Sequence, residues 1–407
     1  MTLPLSESRN LRTGDVPWDE GIWNPPPASH PPDRVDVAIL GSGIMGAILA
    51  ERLADGTRSV ALFDRRPPGC GSTAASTAEV MWAMDVPLLH LTAKLGEGEA
   101  ARRWRRVFAA VRDLAQRIDT LGDCADRVER PTLYLAGNIL DEAALAREAA
   151  LHRRHRLPSA FLTAAEVAQR FGIAPRAGIV SDGGFEIDPV ALCHALLHHA
   201  ARRGATLSYP IDVAALHPAE DGVELECSNG HRCVAAKVVL ATGYERAQLF
   251  LPPAFKLLST FAIATPPGVA PLWGENTMIW EAADPYLYVR TNMEGRIIAG
   301  GEDIETADEP ARDALIGASA GRIAAKLEAL LNARRIVIDR AWGATFGSSP
   351  DGLPAIGPTS LMPDIWLSAG YGGNGIAFAA LAAQLLERSL RGEDDPDAAC
   401  FDPYRFE

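Results

Sequence analysis

The six cysteines (Cys70, Cys124, Cys193, Cys227, Cys233 and Cys400) show no CxxC spacing, which excludes the usual disulfide framework or zinc site and fits a reducing cytoplasm. No apolar run approaches the ~20 residues that a membrane-spanning helix needs. The opening MTLPLSESRN lacks the apolar core of a secretory signal. Positive charge is scarce: 39 Lys and Arg against 52 Asp and Glu give a net charge of −13, which disfavours nucleic acid or an anionic membrane as a partner. There is no internal repeat, and PPPASHPP at 25–32 is the one biased stretch, so residues 1–33 read as an extended arm. The remainder of the 407 residues, 48% apolar and 22% charged, suffices for two or three domains with a sizeable core.

Two basic clusters, RRWRR at 102–106 and HRRHR at 152–156, fall in helical stretches and read as solvated faces. His194, His198 and His199 share an expected helix from Pro189 to Arg202. No carboxylate or cysteine signature completes a metal site there, so they read as surface and contact residues.

What is present is concentrated in VDVAILGSGIMGAILAERLADGTRSVALFD, residues 35–64. Val35–Leu40 is a nearly unbroken aliphatic run, the pattern of a strand buried on both faces of a parallel sheet. GSGIMG follows at 41–46 and opens an expected helix over 44–54, and a second strand over 59–63 ends at Asp64. Gly41 permits the tight turn, Gly43 lets backbone N–H groups approach a pyrophosphate, and Gly46 lets the helix pack close to the strand. Asp64 stands where a carboxylate can accept hydrogen bonds from a ribose. The motif by itself does not separate NAD from FAD.

Three later stretches argue for FAD. A Gly/Ser/Thr-rich loop, GCGSTAAST at 69–77, follows the second strand. KVVLATGYE at 237–245 is a late strand ending in Ala241-Thr242-Gly243, a return to the nucleotide that a simple NAD domain does not need. Finally, GYGGNG at 370–375 joins a strand over 364–368 to a helix over 376–390, a second glycine turn with an anion-favouring helix end.

With these motifs in this order, together with GGFEIDPVALCHALLHHAARRGA at 183–205 and PDGLPAIG at 350–357, the chain resembles the flavin-dependent D-amino-acid oxidase, glycine oxidase and sarcosine oxidase superfamily from about residue 34 to the end. The resemblance implies an α/β fold: an FAD-binding doubly wound parallel sheet (34–120, 180–255 and 340–407) and an antiparallel-sheet substrate domain (121–179 and 256–339). It implies FAD contacts at Gly41, Gly43, Met45, Gly46, Asp64, Arg65, Ser72 and Thr73, with backbone at Val213 and Gly243 near the adenosine. Gly372, Gly373, Asn374, Gly375 and Ile376 would hold the flavin ring.

The expected substrate face is a meander of strands between Ser259 and Gly301. Tyr286, Tyr288 and Arg290 alternate and so share a face, which is either the pocket or solvent. Trp82 and Met84 are further pocket candidates, with core packing as the alternative. Two departures from the resemblance matter. Phe346 stands where a carboxylate-pairing arginine is common, and Ala344 where covalent-flavin relatives carry a cysteine. No histidine lies in 71–77 for the other linkage, so FAD is expected to be non-covalent. Ile298 falls near the place of an oxygen-activating lysine in sarcosine-type relatives. The expected activity is oxidation of an amine or amino acid to an imine by hydride transfer to flavin N5. O₂ or another electron acceptor completes the cycle. The alternatives are a dehydrogenase serving a quinone or carrier, and a flavin-bound subunit that works inside a hetero-oligomer.

Overall fold

A computed structural model describes residues 2–5, 9–18, 24–122, 125–246, 249–333 and 335–407. Two sheets organise it. In the first, strand Arg34–Leu40 lies between two parallel neighbours, Val60–Phe63 and Arg232–Leu240, and Thr206–Ser208 extends the parallel set beyond Val60–Phe63. Arg232–Leu240 divides its pairing. Its first half meets antiparallel Gly222–Cys227, and its second half meets parallel Ile365–Ala369, with Val238 opposite Ile365. The aliphatic run at 35–40 is buried on both sheet faces, Ile39 in one apolar cluster and Leu40 in another. Helices Ile44–Leu53, Pro189–Arg202 and Gly375–Leu390 pack together over one face. Asp188 caps the second of these by accepting from the Val190 and Ala191 amides, with proline in the first turn where no donor is lost.

The second sheet runs in the order Arg12–Gly14, Arg340–Ser348, Lys256–Ala264, Ile297–Ile304, Leu287–Thr291, Met278–Glu281, Val128–Leu135, Gly178–Glu186 and Glu79–Val80. It is antiparallel except where Met278–Glu281 runs parallel to Val128–Leu135. Helix Glu309–Leu331 covers one face and buries Ile323 and Leu327 against Phe261, Ile263 and Ala299.

Three expectations change at this level. Strands Arg340–Ser348 and Gly178–Glu186, placed by the expected boundaries largely with the nucleotide portion, pair in the second sheet. The arm is more than a leader: Leu3–Pro4 adds an edge strand to the first sheet and Arg12–Gly14 to the second, with Leu5, Leu11 and Trp18 buried. Residues 1, 6–8 and 19–23 of the arm, and Cys124, lie outside the described residues. The basic clusters are solvated only in part. Arg102 and Arg106 pair with Asp397, whereas Trp104 and His152 turn inward, His152 Nε2 standing 3.2 Å from buried Glu148. One polar stripe of each helix is thus spent on the core, which a run of charged letters conceals.

Candidate active site

A cavity of about 500 Å³ is lined from both sheets. At one end lies the first glycine turn. Gly41 has φ +112, and a Cβ there would stand 2.3 Å from Ala241 O; one on Gly46 would stand 1.9 Å from Gly41 O. Any side chain at either position collides with backbone that cannot yield, so the close passage of helix, turn and late strand requires glycine at both. The Ile44 amide donates to Thr73 Oγ1 at 2.9 Å, tying the helix start to the Ser/Thr loop. Asp64 Oδ2 accepts from Ser42 N (2.7 Å) and Ser42 Oγ (2.8 Å), and Oδ1 from Arg66 N (2.9 Å). Its carboxylate therefore braces the turn as well as facing the cavity.

Around this end the wall includes Gly43, Met45, Arg65, Ser72, Val213 and Gly243. Glu245 and Arg246, two and three residues beyond VLATG, were given no role from the sequence. Glu245 pairs with Arg65 and Arg66, and Arg246 pairs with Asp212 at 2.7 Å and donates to Val213 O at 2.9 Å. Two charged residues so soon after the glycine of a strand-ending turn were the available signal.

Gly372, Gly373, Asn374, Gly375 and Ile376 line the same cavity. Gly372 has φ +61, and the Gly373 amide and Asn374 Nδ2 donate to Asp85 at 2.9 and 3.3 Å. Asp85 was absent from the sequence reading. Burial raises its carboxyl above the usual range, against the pull of the Gly373 N–H.

The chamber beyond is aromatic and acidic. Tyr286, Tyr288, Phe346, Tyr134 and Trp280 line it, with Tyr134 stacked on Trp280 at 3.8 Å between ring centres. Tyr288 lies over Gly300, where a Cβ would fall 2.1 Å from its hydroxyl. The Tyr286 hydroxyl donates to Asp303 Oδ2 at 2.8 Å. Burial pushes Asp303 up to about 6 against the Thr260 and Tyr286 hydroxyls, and pushes Glu79 up to about 8 against Arg290.

Four sequence candidates do not reach the cavity. Arg290 faces neither pocket nor solvent. It is 1% exposed, donates to Ala78 O and Ile187 O at 3.0 Å each, and lies over the Trp18 ring at 5.2 Å. Strand alternation correctly groups it with Tyr288, but the 78–79 segment and the arm cover that end of the face. Trp82 donates to Asp182 O at 2.7 Å, and both it and Met84 belong to the core, as does Ile298. His194 and His198 bond to the carbonyls of Pro68 and Asn24 and are contact residues. Among the described residues no cluster of three metal-competent side chains occurs, and no helix is long and apolar enough to cross a membrane.

The family model of FAD dependent oxidoreductases matches residues 36–388. The chain belongs to that family. Within it, the chain is 25% identical over 374 residues to the tRNA 5-methylaminomethyl-2-thiouridine biosynthesis bifunctional protein MnmC of Thiobacillus denitrificans, covering 88% of this chain and 57% of that protein. It is 23% identical to mitochondrial dimethylglycine dehydrogenase of Mus musculus, covering 93% of this chain and 45% of that one. The chain thus spans about half the length of these two relatives. Against glycine oxidase of Geobacillus kaustophilus it is 26% identical, covering 87% of this chain and 93% of that protein. The fold is shared with the crystal structure of that glycine oxidase (TM-score 0.74, 21% identity, 91% and 98% of the two chains). It is shared as well with L-proline dehydrogenase from P. horikoshii (TM-score 0.78, 20% identity, 92% and 98%).

The residues present fit FAD. The cavity is continuous from the Gly41–Gly46 cradle, where no Cβ can be accommodated, to the Gly372–Asn374 turn. Ser72 Oγ on its wall is buried without a hydrogen-bond partner, a donor in want of an acceptor.

Proposed function

We propose that this protein oxidises the C–N bond of a small amine or amino acid to an imine, which then hydrolyses in water, with FAD held non-covalently. The observation that carries the reading is the continuity of one cavity from the two glycine turns into a chamber lined by Tyr286, Tyr288, Phe346 and Asp303. When bound, FAD supplies the acceptor for the hydride that leaves the carbon beside nitrogen. Gly43, Ser72, Thr73 and the Gly373–Gly375 backbone would hold it.

The chain's own task is to position the donor carbon and to neutralise the substrate ammonium. Tyr286, Tyr288 and Phe346 form an apolar seat that excludes water, and a fixed near-attack geometry supplies much of the rate. Asp303 Oδ1 is buried and makes no hydrogen bond, while Oδ2 is held by Tyr286. With its carboxyl near 6, Asp303 is ionised at neutral pH and Oδ1 can accept the ammonium proton, leaving the amine neutral for hydride loss. Ala344 on the wall and the absence of histidine from 71–77 support a non-covalent cofactor.

The test is anaerobic mixing of the FAD-loaded protein with a panel of amines and amino acids while visible flavin absorbance is followed. Bleaching by at least one of them is expected, and acid precipitation of the protein should release the yellow cofactor. A flavin that no amine or amino acid reduces refutes the reading. Oxygen uptake during turnover then tells O₂ from another acceptor.

A further inference from the structure

Four carboxylates line the chamber end of the cavity: Glu79, Asp85, Glu281 and Asp303. Two are satisfied. Asp85 accepts from Gly373 N and Asn374 Nδ2, and Glu281 accepts from Leu287 N at 2.9 Å and pairs with Arg176. The other two are not. Both oxygens of Glu79 and Oδ1 of Asp303 are buried and make no hydrogen bond. Thr260, whose hydroxyl also bears on Asp303, lies within 3.4 Å of Gly301 O. Arg290, whose charge reaches Glu79, sends both terminal nitrogens to backbone carbonyls.

Among the described residues, no lysine, arginine or histidine lines this end. The wall's described cations, Arg65, Arg66 and Arg246, stand at the first-sheet end, where they pair with Glu245 and Asp212. A buried carboxyl oxygen without a hydrogen-bond partner makes ionisation costly, and a fold that keeps such oxygens on Glu79 and Asp303 beside a ligand cavity favours a ligand that brings the compensating positive charge. An incoming carboxylate would meet like charge there and, among the described residues, no cation.

We propose that the substrate is an aliphatic amine that carries no carboxylate and bears a second cationic nitrogen, one nitrogen answering Asp303 and the other Glu79. This rests on the reading above, that an amine is oxidised in this chamber. The ammonium at Asp303 gives its proton to Oδ1 and becomes the neutral hydride donor; the distal ammonium stays charged against Glu79. The flanking rings of Tyr286 and Tyr288, 5.9 Å apart, supply the faces that such an alkyl chain and its cationic ends favour.

Three probes of equal chain length separate the possibilities: putrescine, n-butylamine and γ-aminobutyrate, each mixed anaerobically with the FAD-loaded protein to obtain an apparent Kd from flavin reduction or spectral shift. Putrescine should bind about tenfold or more tightly than n-butylamine, and γ-aminobutyrate most weakly. Glu79→Gln should shrink the putrescine advantage over n-butylamine to about threefold or less, whereas Asp303→Asn should weaken both amines about tenfold and leave their ratio, with retained FAD reporting that each variant is folded. Phe346→Arg should move the preference toward γ-aminobutyrate. If an amino acid binds tightest, if the putrescine advantage survives Glu79→Gln, or if Asp303→Asn leaves the binding of both amines unchanged, the inference is overturned while amine oxidation stands. If no amine or amino acid reduces the flavin, the parent reading falls and this one with it.

Discussion

The Gly373 amide donates to Asp85 Oδ2 at 2.9 Å, so a carboxylate already sits at the turn that opens helix Gly375–Leu390. Helix N-termini favour anions, and in this chain Asp85 takes part of that preference for itself. A flavin that gains negative charge on reduction at this turn therefore meets helix dipole and carboxylate acting in opposite directions. Asp85→Asn keeps a side-chain acceptor for Gly373 and removes the charge. The two-electron reduction potential should rise by about 10–40 mV, equivalent to roughly 0.5–2 kcal/mol. Dye-coupled potentiometry of the FAD-loaded variant reads it, and an unchanged or lower potential would place the flavin's charge away from this turn.

Arg290 is a structural residue in this arrangement. Its guanidinium holds two backbone carbonyls from the segments 78–79 and 187–188 and stands among Glu79, Glu186 and Asp188, while burial lowers its own pKa. Arg290→Met leaves those carbonyls and acids uncompensated, and about 3–5 kcal/mol of stability should be lost. Thermal unfolding measures the loss. A variant with wild-type stability and a KM raised about tenfold would return Arg290 to the substrate site.

The parallel sheet and its ligand turns were legible because their signals are local. Strand, turn, helix and acid follow one another within residues 35–64, and Gly46 is fixed by Gly41 O inside that unit, although the contact that fixes Gly41 comes from Ala241. Asp64 was legible as a wall residue, though not its bonds to Ser42, which depend on how the turn closes. Glu79 and Asp303 were invisible because each matters through burial, and burial is decided by segments hundreds of residues apart; Asp85 was invisible because its partner Gly373 lies 288 positions away. Arg290 misled for the same reason. Period-2 alternation tells which face a side chain takes but not what later covers it. The arm was underread because two- and three-residue edge strands carry no periodicity.

Glu79 gives the chain a pH-dependent stability of defined sign. Burial raises its carboxyl from 4.5 to about 8, with Glu186 adding to the rise and Arg290 opposing it. Between those values the native state keeps a proton that the unfolded chain has released, so stability falls as pH rises, by up to about 1.4 kcal/mol per pH unit from this group. Below 4.5 both states are protonated and the contribution is flat. Glu79→Gln removes the titration, so its unfolding free energy should fall less steeply than that of the parent protein between pH 4.5 and 8. The variant should therefore gain on the parent steadily as pH rises. Denaturant unfolding of both proteins across this range tests the slope. A difference independent of pH would show that Glu79 is ionised and compensated in the folded chamber, and would remove the vacancy that a cationic substrate is proposed to fill.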